Sequence, residues 1–187
     1  MDKLVLDIET ANTFADVGGY HNLENLKISF VGAFSYKENK FLSFHEGDIE
    51  KLGPVLQRSG LIVGFAINRF DIPVLKKHFS FDLRAIPRLD LLDEIELAVG
   101  FRVKLNTLAK INLGREKTGD GLEAIKLYET GKLAELERYC LNDVRLTKEL
   151  YELSKNQGFL LVPDRTTGEP LKAALEWKET ELLATLF

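Results

Sequence analysis

The sequence predicts an α/β domain built on a mixed central sheet. Two observations carry this. Three β-prone segments come early and close together, as an antiparallel meander does, and apolar strand-like runs then alternate with helical patterns. At 187 residues the chain suits one domain, with residues 159–187 a C-terminal extension packed on it.

Lys3 to Ile8 (KLVLDI) is β-branched and apolar and predicts the first strand, followed by a polar, glycine-containing loop over Thr10 to Glu24. Leu26 to Tyr36 and Lys40 to His45 predict the second and third strands, joined by a polar turn at Lys37 to Asn39. Asp48 is placed to cap a helix over Ile49 to Arg58. Leu61 to Phe65 is wholly apolar, as suits a strand buried on both faces. Asp71 to Phe79 predicts a helix with Pro73 in its first turn, and Ile86 to Leu92 a fifth strand. Helical patterns follow at Leu105 to Ile111, at Gly121 to Thr130 and, longest, at Lys132 to Lys155. In the last, Leu133, Leu136, Tyr139, Cys140, Val144, Leu146, Leu150 and Leu153 recur at helical spacing. Phe159 to Val162 reads as a strand, then a turn at Asp164 to Gly168 and a strand or helix at Leu171 to Trp177.

Composition excludes several classes. Hydrophobic residues are 45% and charged residues 29%, as in ordinary globular proteins, and the longest apolar runs are too short to span a bilayer. A single cysteine, Cys140, excludes an internal disulfide and a cysteine zinc cluster. His21, His45 and His78 lack zinc-ligand spacing. Gly119 and Gly121 lack the Lys-Ser/Thr of a phosphate loop, and no glycine-containing acidic loop suggests structural calcium. With no secretion signal at the start, a cytoplasmic protein is expected. The net charge of −4 disfavours holding long duplex DNA by electrostatics. Four metal-ligating carboxylates would account for that charge and leave the remainder neutral.

Three short patterns carry chemistry. Asp7 and Glu9 lie two residues apart on the first strand, so both project from one face. On an apolar central strand two like charges are costly unless a hard cation lies between them. A solvated strand end is the plain alternative. Asp71 stands where a buried strand gives way to a helix, a position that an ordinary N-cap aspartate also fills. Tyr139 and Asp143, four apart, share one face of the long helix, as core and border residues of any amphipathic helix would. Each pattern alone is matched by its plain reading; their order and placement make them specific together.

Jointly, Asp7-Ile-Glu-Thr10, Phe70-Asp-Ile-Pro73 and Tyr139-Cys-Leu-Asn-Asp143-Val-Arg-Leu-Thr147 resemble the DEDDy branch of the DnaQ-like 3′→5′ exonucleases, which have a ribonuclease-H-like fold. Lys104-Leu-Asn-Thr-Leu-Ala109 is similar to a stretch of family B polymerase exonuclease domains. Gly119-Asp-Gly-Leu-Glu-Ala124 is similar to helicase-associated exonuclease domains. The resemblance covers roughly Lys3 to Leu153. It implies a mixed sheet of three antiparallel strands and then parallel strands, flanked by helices. It also implies two Mg²⁺ (or Mn²⁺) ions held by Asp7, Glu9, Asp71 and Asp143. In that scheme Asp7 bridges both ions, Glu9 and Asp143 hold the ion carrying the attacking water, and Asp71 helps hold the ion at the leaving 3′-oxygen. Tyr139 orients the water; with a pKa near 10 it is a poor base at neutral pH. The implied substrate is the 3′ end of single-stranded DNA or RNA and the implied product a nucleoside 5′-monophosphate, with a helicase in trans as a protein partner. Whether DNA or RNA is preferred, and the oligomeric state, stay open.

Substrate contacts are expected from Thr10, Asn68, Phe70 and Asn106. Phe65, Phe70 and Phe101 are candidates to stack a base, and Arg69 and Lys104 to approach a phosphate; the core and solvent are their plain alternatives. Asn106 is equally placed to cap the helix that follows it. The family often carries Asn where this chain has Ala66, a departure that touches substrate positioning more than metal binding. A silent module docking nucleic acid or a helicase is the competing class, and a set of five matched site residues argues against it.

Overall fold

The computed structural model describes residues 1–115 and 121–177. Strand β1 (Asp2–Thr10) pairs antiparallel with β2 (Ile28–Ser35), which pairs antiparallel with β3 (Lys40–His45). On its other side β1 pairs parallel with β4 (Ser59–Gly64), and β4 pairs parallel with β5 (Arg88–Asp90). The sheet order is therefore β3-β2-β1-β4-β5, with β1 central. This is the mixed α/β architecture expected of a ribonuclease-H-like fold.

Helix α1 (Gly53–Gln57), α2 (Asp71–Leu75), α3 (Leu91–Val99), α4 (Leu105–Leu113), α5 (Gly121–Glu129) and α6 (Leu133–Gln157) surround the sheet. Leu4, Leu6 and Ile8 of β1 pack on one side with Leu52, Leu56, Ile72 and Leu75. Val5, from the opposite face, packs with Val144, Leu146 and Leu150 of α6. The period-two alternation of β1 thus points Asp7 and Glu9 toward α6. Gly32, opposite Asp7 on β2, lets α6 approach: a Cβ there would lie 3.0 Å from Cys140 Sγ and 3.1 Å from atoms of Leu141 and Val144.

Several elements differ from expectation. Asp48 caps nothing; it pairs with Lys51 inside a 3-10 turn over Glu46–Leu52 that precedes α1, and Pro54 sits in the first turn of that short helix. The helix expected over Asp71 to Phe79 is α2 followed by a 3-10 turn, Lys76–His78. The expected fifth strand is only three residues long, because Asp90 ends it and caps α3, accepting from Leu92 N and Asp93 N. Leu91, Leu92 and Ile95, the buried face of α3, are a helical pattern hidden by reading their first residues as strand. Asn106 lies inside α4, whose N-cap is Lys104, so it caps no helix. The segment after Leu171 is a strand: β6 (Phe159–Pro163) and β7 (Pro170–Ala174) form an antiparallel hairpin packed against α3, α4 and α6. Gly119 and Asp120, and residues 178–187 of the expected extension, lie outside the described residues.

Candidate active site and metal centre

Asp7 and Glu9 sit at the C-terminal end of the central strand, Glu9 only 7% exposed. Their register against Gly32 and Phe30 breaks immediately after Glu9, where a bulge turns the chain toward Thr10. Asp71 reaches them from the other parallel strand. After β4 the chain makes a tight loop and enters α2 with Asp71 as its first residue, the N-cap being Phe70. The start of that loop needs glycine at Gly64, where a Cβ would meet Ile67 Cγ2 at 2.0 Å. The Asp71 carboxylate does not cap its own helix from outside; its Oδ1 accepts from the backbone N–H of Ile8 at 3.1 Å, the residue between Asp7 and Glu9. That bond brings the second pattern onto the first.

The third pattern arrives on α6, which lies across β1 and β2. Asp143 is 2% exposed and Tyr139, one turn earlier, packs with Phe30, Leu136 and Cys140. Cys140 supplies the link: its Sγ lies 3.4 Å from Asp7 Oδ2 and 3.5 Å from Asp7 O. Ligand atoms of Asp7, Glu9 and Cys140 all fall within 4.8 Å of one another. Burial, then repulsion from Asp7, Glu9 and Asp143, pushes the Cys140 thiol well above its usual range. It stays protonated and donates to Asp7; a neutral thiol is no ligand for a hard cation.

The electrostatics call for a cation. Burial pushes the Asp71 carboxyl well above the ordinary aspartate range, and Asp7 beside it adds to the rise. Oxygen donors from Asp7, Glu9, Asp71 and Asp143 are the set that hard divalent ions take, so these residues fit such ions.

Beside Glu9 opens a cavity of about 380 Å³. Thr10, Phe14, Phe70, Leu122 and Ile125 line it, making it mostly apolar with the acidic centre at one edge. Thr10 and Phe70, both expected substrate contacts, are there. Asn68 is not among its lining residues: its Nδ2 donates to Asp93 Oδ2 at 2.9 Å and its Oδ1 accepts from Arg88 Nε at 2.9 Å. Asn106 is exposed on α4 and does not line the cavity either. Phe65 and Phe101 pack on the core beneath α6, and Arg69 is tied to Asp93 (3.3 Å) and Glu96 (2.7 Å). Phe14, Leu122 and Ile125 were not expected as substrate contacts, although Leu122 lies within the Gly119 to Ala124 segment. Phe14 lies in a loop read as polar, and Leu122 and Ile125 lie over a hundred residues away on α5 with no periodicity that marks a cavity wall.

A protein-family model described as the RNase_H superfamily matches residues 4–154. The chain belongs to the RNase H superfamily. Membership in this superfamily of nucleases supports nuclease activity, and such nucleases generally use divalent metals. Among solved structures, the family B DNA polymerase from the hyperthermophilic archaeon Pyrobaculum calidifontis is similar over 82% of this chain, with a TM-score of 0.62 and 20% identity. The chain spans 24% of the length of that polymerase chain, and at this identity the likeness speaks for the fold. No curated protein matches. Among the described residues no helix is long and apolar enough to cross a membrane.

Proposed function

We propose that this RNase H superfamily member is a metal-dependent 3′→5′ exonuclease of the DEDDy type, acting on single-stranded nucleic acid. The observation that carries the reading is the convergence of Asp7, Glu9 and Asp71, joined through the Ile8 amide, with Asp143 and Tyr139 on the helix packed over them. Asp7, Glu9, Asp71 and Asp143 would hold two Mg²⁺ or Mn²⁺ ions. When bound, these ions supply neutralising charge at the phosphate and acidify water near neutral pH.

The remaining steps belong to the protein. The apolar cavity beside Glu9 accepts the terminal nucleoside, its base against Phe14 and Phe70. Stacking needs an unpaired base, which favours a single strand or a frayed end. Tyr139 orients the attacking water by hydrogen bonding. The Cys140 thiol and the Ile8 amide hold Asp7 and Asp71 in place. The product is a nucleoside 5′-monophosphate. A cytoplasmic location and a helicase that exposes single strands in trans accord with this reading.

The test is shortening of 5′-labelled single-stranded DNA and RNA of matched sequence in Mg²⁺ or Mn²⁺. Wild type is expected to release mononucleotides from the 3′ end, and Asp7→Ala to release none. Internal cuts would overturn the exonuclease direction. Equal inactivity of both proteins would leave a nucleic-acid-binding or helicase-binding module.

A further inference from the structure

On the far side of α5 from the apolar cavity runs a second groove, of about 570 Å³, which reaches the catalytic centre at Tyr139. Its floor is one face of α6. Arg138, Asn142 and Arg145 recur there at spacings of four and three, which stacks them along the helix. All three present hydrogen-bond donors, and among the described residues none of these donors meets a carboxylate. Arg138 Nε donates only to Ala134 O at 3.3 Å. The Arg145 guanidinium lies over the Phe41 ring at 5.4 Å. The Asn142 Nδ2 is buried without any acceptor, a costly state for an amide donor. Among the described residues Glu123 and Glu135 also line the groove, and Glu135 pairs with Lys132 at 3.4 Å. Donors that meet no carboxylate among the described residues, one of them buried, describe a site for an anion.

We propose that this groove binds a phosphate group of the nucleic acid being processed, held by Arg138, Asn142 and Arg145. It rests on the nuclease reading, since the anion is named from the centre that the groove adjoins. The contrast with the neighbouring cavity supports it. One side of α5 is apolar and suits a base, and the other presents the donors of Arg138, Asn142 and Arg145, which suit a phosphate. The phosphate has two sources of one chemistry: a phosphodiester of the bound strand or the 5′-phosphomonoester of the released nucleotide.

Binding of a labelled twelve-nucleotide single strand is measured by fluorescence anisotropy in Ca²⁺ and in EDTA across a salt series, with displacement by deoxyadenosine 5′-monophosphate in parallel. If the strand supplies the phosphate, Arg138→Ala/Arg145→Ala weakens oligonucleotide binding about five- to tenfold at low salt, and the slope of log K against log salt falls by about 0.7 per lost contact. If the product supplies it, the variant leaves that slope unchanged and weakens displacement by the mononucleotide. The double Lys variant keeps the charge and is expected to keep the wild-type behaviour. The groove is overturned if neither binding changes, or if Lys fails as badly as Ala, which would assign the effect to packing of Arg145 on Phe41. Binding is read independently of cleavage. Wild type that binds through these arginines yet releases no nucleotides keeps the groove and removes the exonuclease. Wild type that releases nucleotides while the variants bind normally removes the groove alone.

Discussion

Two buried aspartates, Asp90 at the end of β5 and Asp71 at the start of α2, differ in their surroundings. Asp90, ending β5, is wrapped in backbone amides: Oδ1 accepts from Ala66 N at 2.8 Å and Leu92 N at 3.0 Å, and Oδ2 from Asn68 N at 3.0 Å. Asp71, 3% exposed, accepts across the sheet from Ile8 N and from its own backbone N–H, with Asp7 as the nearest like charge and Asp90 a lesser one. Burial raises both carboxyls, and amides and like charges act on both; after burial the largest influence is an amide at Asp90, which lowers it, and the Asp7 charge at Asp71, which raises it further. The difference separates an anchor from a proposed ligand. A buried acid met by N–H groups clasps a loop; a buried acid met by other acids is arranged for a cation.

The sharpest way to break this comparison is to neutralise the ligand. Asp71→Asn keeps an oxygen for the Ile8 amide and removes the charge. It is expected to lower metal-dependent nucleotide release on the order of a thousandfold. In EDTA the same variant should melt at a higher temperature than wild type, because the repulsion is gone; lower melting would make Asp71 a structural acid like Asp90. The converse variant, Asp90→Ala, strands the amides of Ala66, Asn68 and Leu92. A loss on the order of 3 kcal/mol is expected by denaturant unfolding, equal with and without divalent metal. If added metal altered that loss, Asp90 would belong to the centre.

The two aspartates also set a pH dependence. Both hold protons more readily folded than at the ordinary aspartate value of 3.8. From that value up to the folded ones, the folded state therefore binds more protons than the unfolded, and stability falls as pH rises. Metal-free protein should melt several degrees lower at pH 7.5 than at pH 5, with the gain from Mg²⁺ larger at pH 7.5. Melting temperatures that rise across this range in EDTA would contradict the burial of unneutralised charge. The smallest effect probes the loop that Asp90 clasps. Ala66 is held at φ 64°, a conformation unfavourable for an alanine, and its amide is fixed by Asp90. Ala66→Gly should relieve about 0.5–1 kcal/mol with activity unchanged. Asn tolerates that conformation better than alanine does, a local reason for its use at this position by the family that the sequence resembles. Thermal melts of Ala66→Gly and Ala66→Asn check this.

Local periodicity made Asp7 and Glu9 legible, because alternation on a strand is a property of adjacent residues. The same holds for Tyr139 and Asp143 on a helix face. The anchor was not legible. Asp90 bonds to amides more than twenty residues upstream, and backbone groups leave no mark on residue identity. That Asn68 lies away from the cavity was hidden for a related reason: the clasp fixes its backbone, and its side-chain amide bonds to Asp93 and Arg88.

By itself the sequence determined the α/β class, the order of the sheet-forming segments and four carboxylates in a specific pattern, since these follow from spacing along the chain. Only the tertiary structure decided that Asp71 bonds at Ile8, that Cys140 touches Asp7, and that α5 divides an apolar cavity from a groove lined by Arg138, Asn142 and Arg145. Those facts depend on which distant surfaces pack together, and side-chain packing across the sheet sets that.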